Sequence, residues 1–323
     1  MNLFVVKMIL FLCFSTLRAE DLSSLNFAIN SLSTNTYVQI LVVDSYGNKT
    51  GFDPILSKKV RNIKNSYYGI DVISNYETGE TITPETVKLG ITPVESGTYT
   101  VILFGLKSTS YSLYSEFYNV NGDMILLPIS EIGYITQNST QSYSLHLDPT
   151  PGAPAPTITK IVIFQTLRDD FNVAQKLNQI GDDRFVNSLI RMVNIAEKLY
   201  NRCENVKEKV KDDKHKKLCY KPVIAILELI KKRLEIVNRI CDNPGECKSK
   251  CKLKDECDEE RAFDNFRKEN IKEEGIKEFF SEWDKDEWHK HKKMCKRFVT
   301  DEALKIISED IDWLIKSISN LSL

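Results

Sequence analysis

Apolar and polar positions alternate along residues 37–43, where Tyr37, Gln39, Leu41 and Val43 share one side and Val38, Ile40 and Val42 the other. The run stops at Asp44-Ser45-Tyr46-Gly47-Asn48. A period of two followed by turn residues predicts a strand entering a turn. Further β-branched or alternating runs at 67–73, 86–91, 98–104, 110–118, 124–127 and 141–147 predict more strands, with Gly or Pro in nearly every gap. Six to eight short strands at this spacing read as an antiparallel β-sandwich over residues 20–148. Gly47 and Gly51 suit turn positions that need positive φ.

Beyond Asp169 and Asp170 the apolar period lengthens to that of a helix. Phe185, Leu189, Met192, Ala196 and Leu199 fall on one helical face, and Pro222 is read as opening a second helix that carries Ile226, Leu229, Leu234, Val237 and Ile240. A last helix is marked by Thr300 as cap, by Asp301 and Glu302 at its positive end, and by the stripe Ala303, Leu304, Ile307, Ile311, Leu314, Ile315, Ile318. Helices of this kind bury their stripes against one another, so residues 161–323 read as a small helical bundle. Pro149, Pro151, Pro154 and Pro156 place an extended, Pro-rich linker at 149–160 between the two parts, with one more strand possible from Thr157 onward.

The order Asp44…Gly47…Thr50-Gly51-Phe52-Asp53-Pro54, Ser66-Tyr67-Tyr68-Gly69, Glu77-Thr78-Gly79, Ser96-Gly97-Thr98-Tyr99-Thr100-Val101 and Tyr143…Leu147-Asp148-Pro149 resembles an accessory β-sandwich module of secreted bacterial proteins, of the kind appended to exported peptidases and surface proteins. The resemblance covers residues 36–152 and implies no catalytic residues. Asn187-Ser188-Leu189-Ile190…Ala196, Ala225…Leu229…Val237 and Val299-Thr300…Ala303-Leu304…Ile311…Leu314-Ile315 resemble the all-helical FIMAH module, which implies binding of polysaccharide or another surface polymer. The stretch from Cys241 to Cys295 has no counterpart in that module.

The N-terminus changes the setting of both parts. Lys7 precedes the apolar run Met8 to Phe14, and Arg18-Ala19-Glu20 follows. This is the grammar of a secretory signal at residues 1–19, with an apolar core short of the roughly 20 residues a membrane span needs. The expected protein is secreted or held at the cell surface without a membrane-spanning segment. Composition divides where the linker lies. Residues 20–160 hold 8 Lys and Arg against 13 Asp and Glu, with 11 of the 13 tyrosines and no cysteine; residues 161–323 hold 34 basic and 32 acidic side chains. An overall charge of −1 argues against nucleic acid as a partner.

Seven cysteines remain after signal removal, at 203, 219, 241, 247, 251, 257 and 295. In an exported protein they read as three disulfides and one leftover thiol that permits a disulfide-linked dimer. Cys203 and Cys219 flank a lysine-rich connector and can close a loop; the pairing of the others is open. The alternative is metal: His289, His291 and Cys295, with cysteines of the 241–257 stretch, can compose a tetrahedral zinc site. Calcium is a second possibility, at the turn residues Asp44 and Asp53. Basic residues gather at Lys207, Lys209, Lys211, Lys214, Lys216 and Lys217 and again at Lys290, Lys292, Lys293, Lys296 and Arg297. A polyanion could bind there by counterion release, although the acidic residues among them favour a solvated helix face. Tyr67, Tyr68, Tyr111, Tyr114 and Tyr118 could form a sugar-binding face, with packing on a half-buried strand as the simpler account.

No Ser-His-Asp order, phosphate loop or HExxH motif is present. The expectation is a non-catalytic extracellular or surface binding protein whose partner is an extracellular polymer or surface protein, with a metal-holding helical module as the alternative.

Overall fold

The structure is a computed structural model that describes residues 21–31, 37–71, 78, 85–207, 213–240 and 298–321. Eleven strands make up the described residues of its first part: β1 (Ser24–Ser31), β2 (Val38–Val43), β3 (Lys49–Asp53), β4 (Lys58–Arg61), β5 (Ser66–Asp71), β6 (Thr86–Ile91), β7 (Gly97–Gly105), β8 (Thr109–Tyr118), β9 (Met124–Ile135), β10 (Thr140–Leu147) and β11 (Thr157–Ile161). They form two antiparallel sheets, ordered β5-β6-β1-β8-β9 and β11-β10-β7-β2-β3-β4.

Alternation decides what lies between them. Leu25, Phe27 and Ile29 of β1, Val87, Leu89 and Ile91 of β6, and Leu113 and Phe117 of β8 point inward from one sheet. Val38, Ile40 and Val42 of β2, Val101 and Leu103 of β7, and Tyr143, Leu145 and Leu147 of β10 meet them from the other. Fully burying each such side chain is worth about 1.5–3 kcal/mol, which fixes the register because a slip by one residue would turn the whole set outward. Gly51 has φ +125°, and a Cβ there would stand 2.1 Å from the Ile40 carbonyl oxygen, so β2 and β3 can pair at this point only through a glycine. Gly47, at φ +83°, closes the turn before it by donating its N–H to the Asp44 carbonyl.

Four helices follow among the described residues: α1 (Phe164–Lys176), α2 (Asp183–Lys207), α3 (Asp213–Ile240) and α4 (Asp301–Leu321). Asp182 accepts the N–H groups of Arg184 and Phe185 at the start of α2, and Thr300 accepts that of Ala303 at the start of α4, each meeting donors that a first helical turn leaves free. Pro222 does not open α3. It lies inside the helix, where a missing N–H would ordinarily break the turn; here Cys219, joined to α2, and the buried Tyr220 hold the preceding turn in place.

The Pro-rich stretch differs from a free linker. The chain turns at Thr150–Ala153 and then re-enters the sheet as β11, paired with β10 from Ser142↔Ile161 to His146↔Thr157. The apolar cluster of the helices also takes in Tyr134 of β9 and Val162 just after β11. Strands β9 and β11 are the edges of their two sheets on the same side of the sandwich, and α1 and α4 lie against them. An open strand edge is a template for unwanted pairing; the helices cover two of the four. At the opposite side the edge strands are β5 and β4, the latter reading Lys58-Lys59-Val60-Arg61.

At this junction a group of polar side chains is enclosed: Tyr111, Tyr143 and Lys160 from the strands, and Asp170 and Asp310 from α1 and α4. The Tyr111 and Tyr143 hydroxyls are 2.7 Å apart. Burial pushes the Tyr111 phenol up to about 12 and holds the Tyr143 phenol well above its ordinary value.

Candidate binding face

The outward side of the five-stranded sheet is built by the same alternation that fills the core. Register places Tyr67, Gly90, Asn26 and Glu116 side by side across β5, β6, β1 and β8, with Gly69, Lys88, Ala28 and Tyr114 in the next row. Tyr118 stands beyond, opposite Ser24. Tyr67 is 46% exposed, and its ring lies over Gly90, where a Cβ would come within 2.1 Å of the ring carbon Cε1. The small residues Gly69, Gly90 and Ala28 thus leave a level floor between aromatic rings.

Polar groups surround the rings. Lys88 pairs with Asp71 at 2.5 Å, and the pairing holds its ammonium above the ordinary lysine range. Tyr118 donates to Glu116 at 3.3 Å, while Thr86 donates to Asn30 at 2.6 Å. Loss of hydration and the neighbouring Glu116 carboxylate raise both the Tyr114 and Tyr118 phenols, so both remain neutral donors at physiological pH. The face therefore offers apolar ring surfaces, amide and hydroxyl groups and charges of both signs on one side of a rigid sheet.

Of the five tyrosines proposed as a sugar face, the structure brings three to it. Tyr111 is enclosed in the core, and Tyr68 points inward, half-buried, with its hydroxyl donating to Gln39. Asn26 and Lys88 belong to the face and escaped the reading of the sequence. The signal for Asn26 was there: Leu25, Phe27 and Ile29 alternate with Ser24, Asn26 and Ala28.

The cysteine region is described in part. Cys203 and Cys219 come to disulfide distance, sulfur to sulfur 2.07 Å, joining α2 to α3 with Cys203 in the helical core. Beside them Tyr200 packs against Phe164 and Tyr220 at centroid distances of 5.5 and 5.8 Å, and Tyr220 donates to Glu204. Lys207 ends α2, and Lys214, Lys216 and Lys217 fall in the first turns of α3. Lys209, Lys211, Cys241, Cys247, Cys251, Cys257, His289, Lys290, His291, Lys292, Lys293, Cys295, Lys296 and Arg297 lie outside the described residues, as does the signal sequence at 1–19. Among the described residues no group of three His, Cys, Asp or Glu side chains could hold a metal ion, and no helix is long and apolar enough to cross a membrane.

The two turn aspartates are committed to local bonds. Asp44 accepts from the N–H groups of Tyr46 and Asn48 and from the Asn48 amide. Asp53 accepts from Lys49 at 3.0 Å and from the N–H groups of Ile55 and Leu56. The Lys49 hydrogen bond, aided by those two N–H groups, holds the Asp53 carboxyl below the usual carboxylate range despite burial. A depressed carboxyl adds stability above its unfolded value and loses it as pH falls through its folded value. Asp53→Asn is therefore expected to shallow the loss of stability below about pH 4, as read from urea midpoints at stepped pH; an unchanged acid limb would contradict it.

Comparison with family models, curated proteins and solved structures finds no match to this chain.

Proposed function

We propose that this is a non-catalytic extracellular binding protein and that the outward face of its five-stranded sheet takes a polysaccharide. The single observation that supports the reading is the level arrangement of Tyr67, Tyr114 and Tyr118 among Asn26, Lys88 and Glu116 on one rigid face. The C–H faces of sugar rings pack on aromatic surfaces, which bring much apolar area at low conformational cost. Amides, hydroxyls and carboxylates at the ring edges then choose among hydroxyl patterns. The alternation of the strands gives this face no part in filling the core, so its aromatic content is available for a ligand.

In this reading the four described helices form a bundle, braced by Cys203 and Cys219, that covers the β9 and β11 edges of the sandwich and, among the described residues, leaves the tyrosine face open. The secretory signal, read from the sequence, supports an extracellular or surface location.

The test is retention of the protein on a panel of immobilised cell-surface polysaccharides, comparing the wild type with Tyr67→Ala and Tyr114→Ala. Each ring is expected to be worth about tenfold in affinity, typical of a buried aromatic anchor, with the melting temperature nearly unchanged because both side chains lie outside the core. Failure of the wild type to be retained by any polysaccharide, or retention indifferent to both substitutions, would refute the assignment.

A further inference from the structure

We propose that Lys160 and Asp310 condense into an isopeptide bond, Nζ to Cγ, with the Asp170 carboxyl relaying protons, so that the mature protein carries a covalent tie between β11 and α4. The three groups meet from three elements at the junction of sandwich and helices. The side chains of Lys160 and Asp310 are 3% and 1% exposed and hydrogen-bonded to each other, although 150 residues apart in sequence. Asp170, 1% exposed, is enclosed with them, close enough that the Asp310 charge raises its carboxyl. Asp170 Oδ2 and Asp310 Oδ2 are buried and find no hydrogen-bond partner among the described residues.

A structural ion pair accounts poorly for this arrangement. Burying charges costs several kcal/mol per ion, and well-packed apolar residues commonly serve stability as well or better. Here a lysine and two aspartates are enclosed together, on positions that the helical stripes would otherwise give to apolar residues: Asp170 follows Leu167 by three, and Asp310 follows Ile307 by three. What the group does contain is a nucleophile, an electrophilic carboxyl carbon and a second buried carboxyl near it, in a site enclosed with Tyr111 and Tyr143.

The protonation states fit. Burial, with the Asp310 charge next to it, raises the Asp170 carboxyl well above its ordinary value and so favours its neutral, proton-carrying form. Burial opposes the Lys160 charge, but Tyr111, Asp310 and Asp170 outweigh it, so the ammonium starts protonated and loses its protons only within the cluster. The low polarity of the site favours a neutral amine and acid over separated ions.

The step balances without any co-reactant. Lys160 passes one proton to the Asp310 carboxylate, leaving an amine beside a neutral acid. The Nζ lone pair adds to Asp310 Cγ while the Asp170 proton moves to the carbonyl oxygen. Asp170 takes a proton back from Nζ, and passing it to one of the two hydroxyls breaks that C–O bond and releases water. The carbonyl re-forms as the other hydroxyl returns its proton to Asp170. An ammonium and a carboxylate have become an amide and one water, and Asp170 ends as it began.

The test is mass spectrometry of the full purified chain, reduced and denatured, with peptide mapping after trypsin. The expected result is an intact mass lighter by one water than the sequence, and a branched peptide joining the segments that contain Lys160 and Asp310. Lys160→Arg, which keeps the charge but cannot condense in this way, is expected to show the full mass, as is Asp170→Asn. A wild-type chain of full mass, with Lys160 and Asp310 recovered in separate linear peptides, would overturn the proposal whether or not either variant folds. Water loss persisting in Asp170→Asn would overturn the relay. The outcome does not depend on what the tyrosine face binds.

Discussion

Replacing Phe171 with alanine is expected to destabilise the protein by about 3–5 kcal/mol, the cost of removing a buried aromatic ring and leaving its cavity. Phe171 is fully buried on α1, the helix that touches β9 on one side and α2 and α4 on the other. Because the apolar cluster of the helices includes Tyr134 and Val162 from the strand region, the loss reaches across the junction. Urea unfolding followed by tyrosine and tryptophan fluorescence and by circular dichroism is expected to show one shared transition in the wild type, and a lower midpoint in both signals for the variant. The tryptophan signal includes Trp313 of α4, whereas 11 of the 13 tyrosines belong to the first half of the chain. Two separate wild-type transitions, with only the tryptophan one moved by Phe171→Ala, would show that the junction carries no coupling.

Removing the link between α2 and α3 is the second large effect. The paired cysteines are 16 residues apart in sequence, a loop whose closure in the unfolded chain is worth about 3 kcal/mol on the chain-entropy account. Cys203→Ala with Cys219→Ala avoids burying a stray hydroxyl in place of the Cys203 sulfur, which lies in the apolar cluster. The double variant is expected to melt several degrees lower than the wild type under non-reducing conditions. Adding reductant should narrow the gap by lowering the wild type. Equal melting temperatures without reductant would mean that the two sulfurs are not bonded.

The strands that the alternation predicted are present where one side of the strand is core and the other is solvent, as in β7, β8 and β10. Those that escaped have physical reasons. β4 is a short, charged edge strand without an apolar side to betray it. β9 was expected to end at Leu127 because Pro128 follows, yet the strand continues to Ile135. It lies at the edge of its sheet, where a residue without an N–H leaves no ladder partner wanting. The shifted pairing between Ser115 and Phe117 of β8 lies beside that proline. β1 alternates as clearly as any strand, but it starts soon after a segment read as a secretion signal.

The site was harder to see than the sheets. The tyrosine face requires the neighbours of β1, β6 and β8, and those are fixed by long-range pairing that no local pattern encodes. The enclosed aspartates left a fainter trace: Asp170 and Asp310 occupy stripe positions where their helices otherwise place apolar side chains. A charge in such a position marks a partner elsewhere in the chain, though not its identity, and Lys160 came from the segment expected to be linker.

Among the described residues no helix covers the other rim of the sandwich, whose last strand carries the exposed Lys58, Lys59 and Arg61. Two copies meeting rim to rim would press like charges together before any backbone bond could form. Such repulsion opposes the stacking of copies into ribbons, and it weakens as salt is added. The charges on this short strand thus bear on how copies approach one another as well as on the sheet it completes.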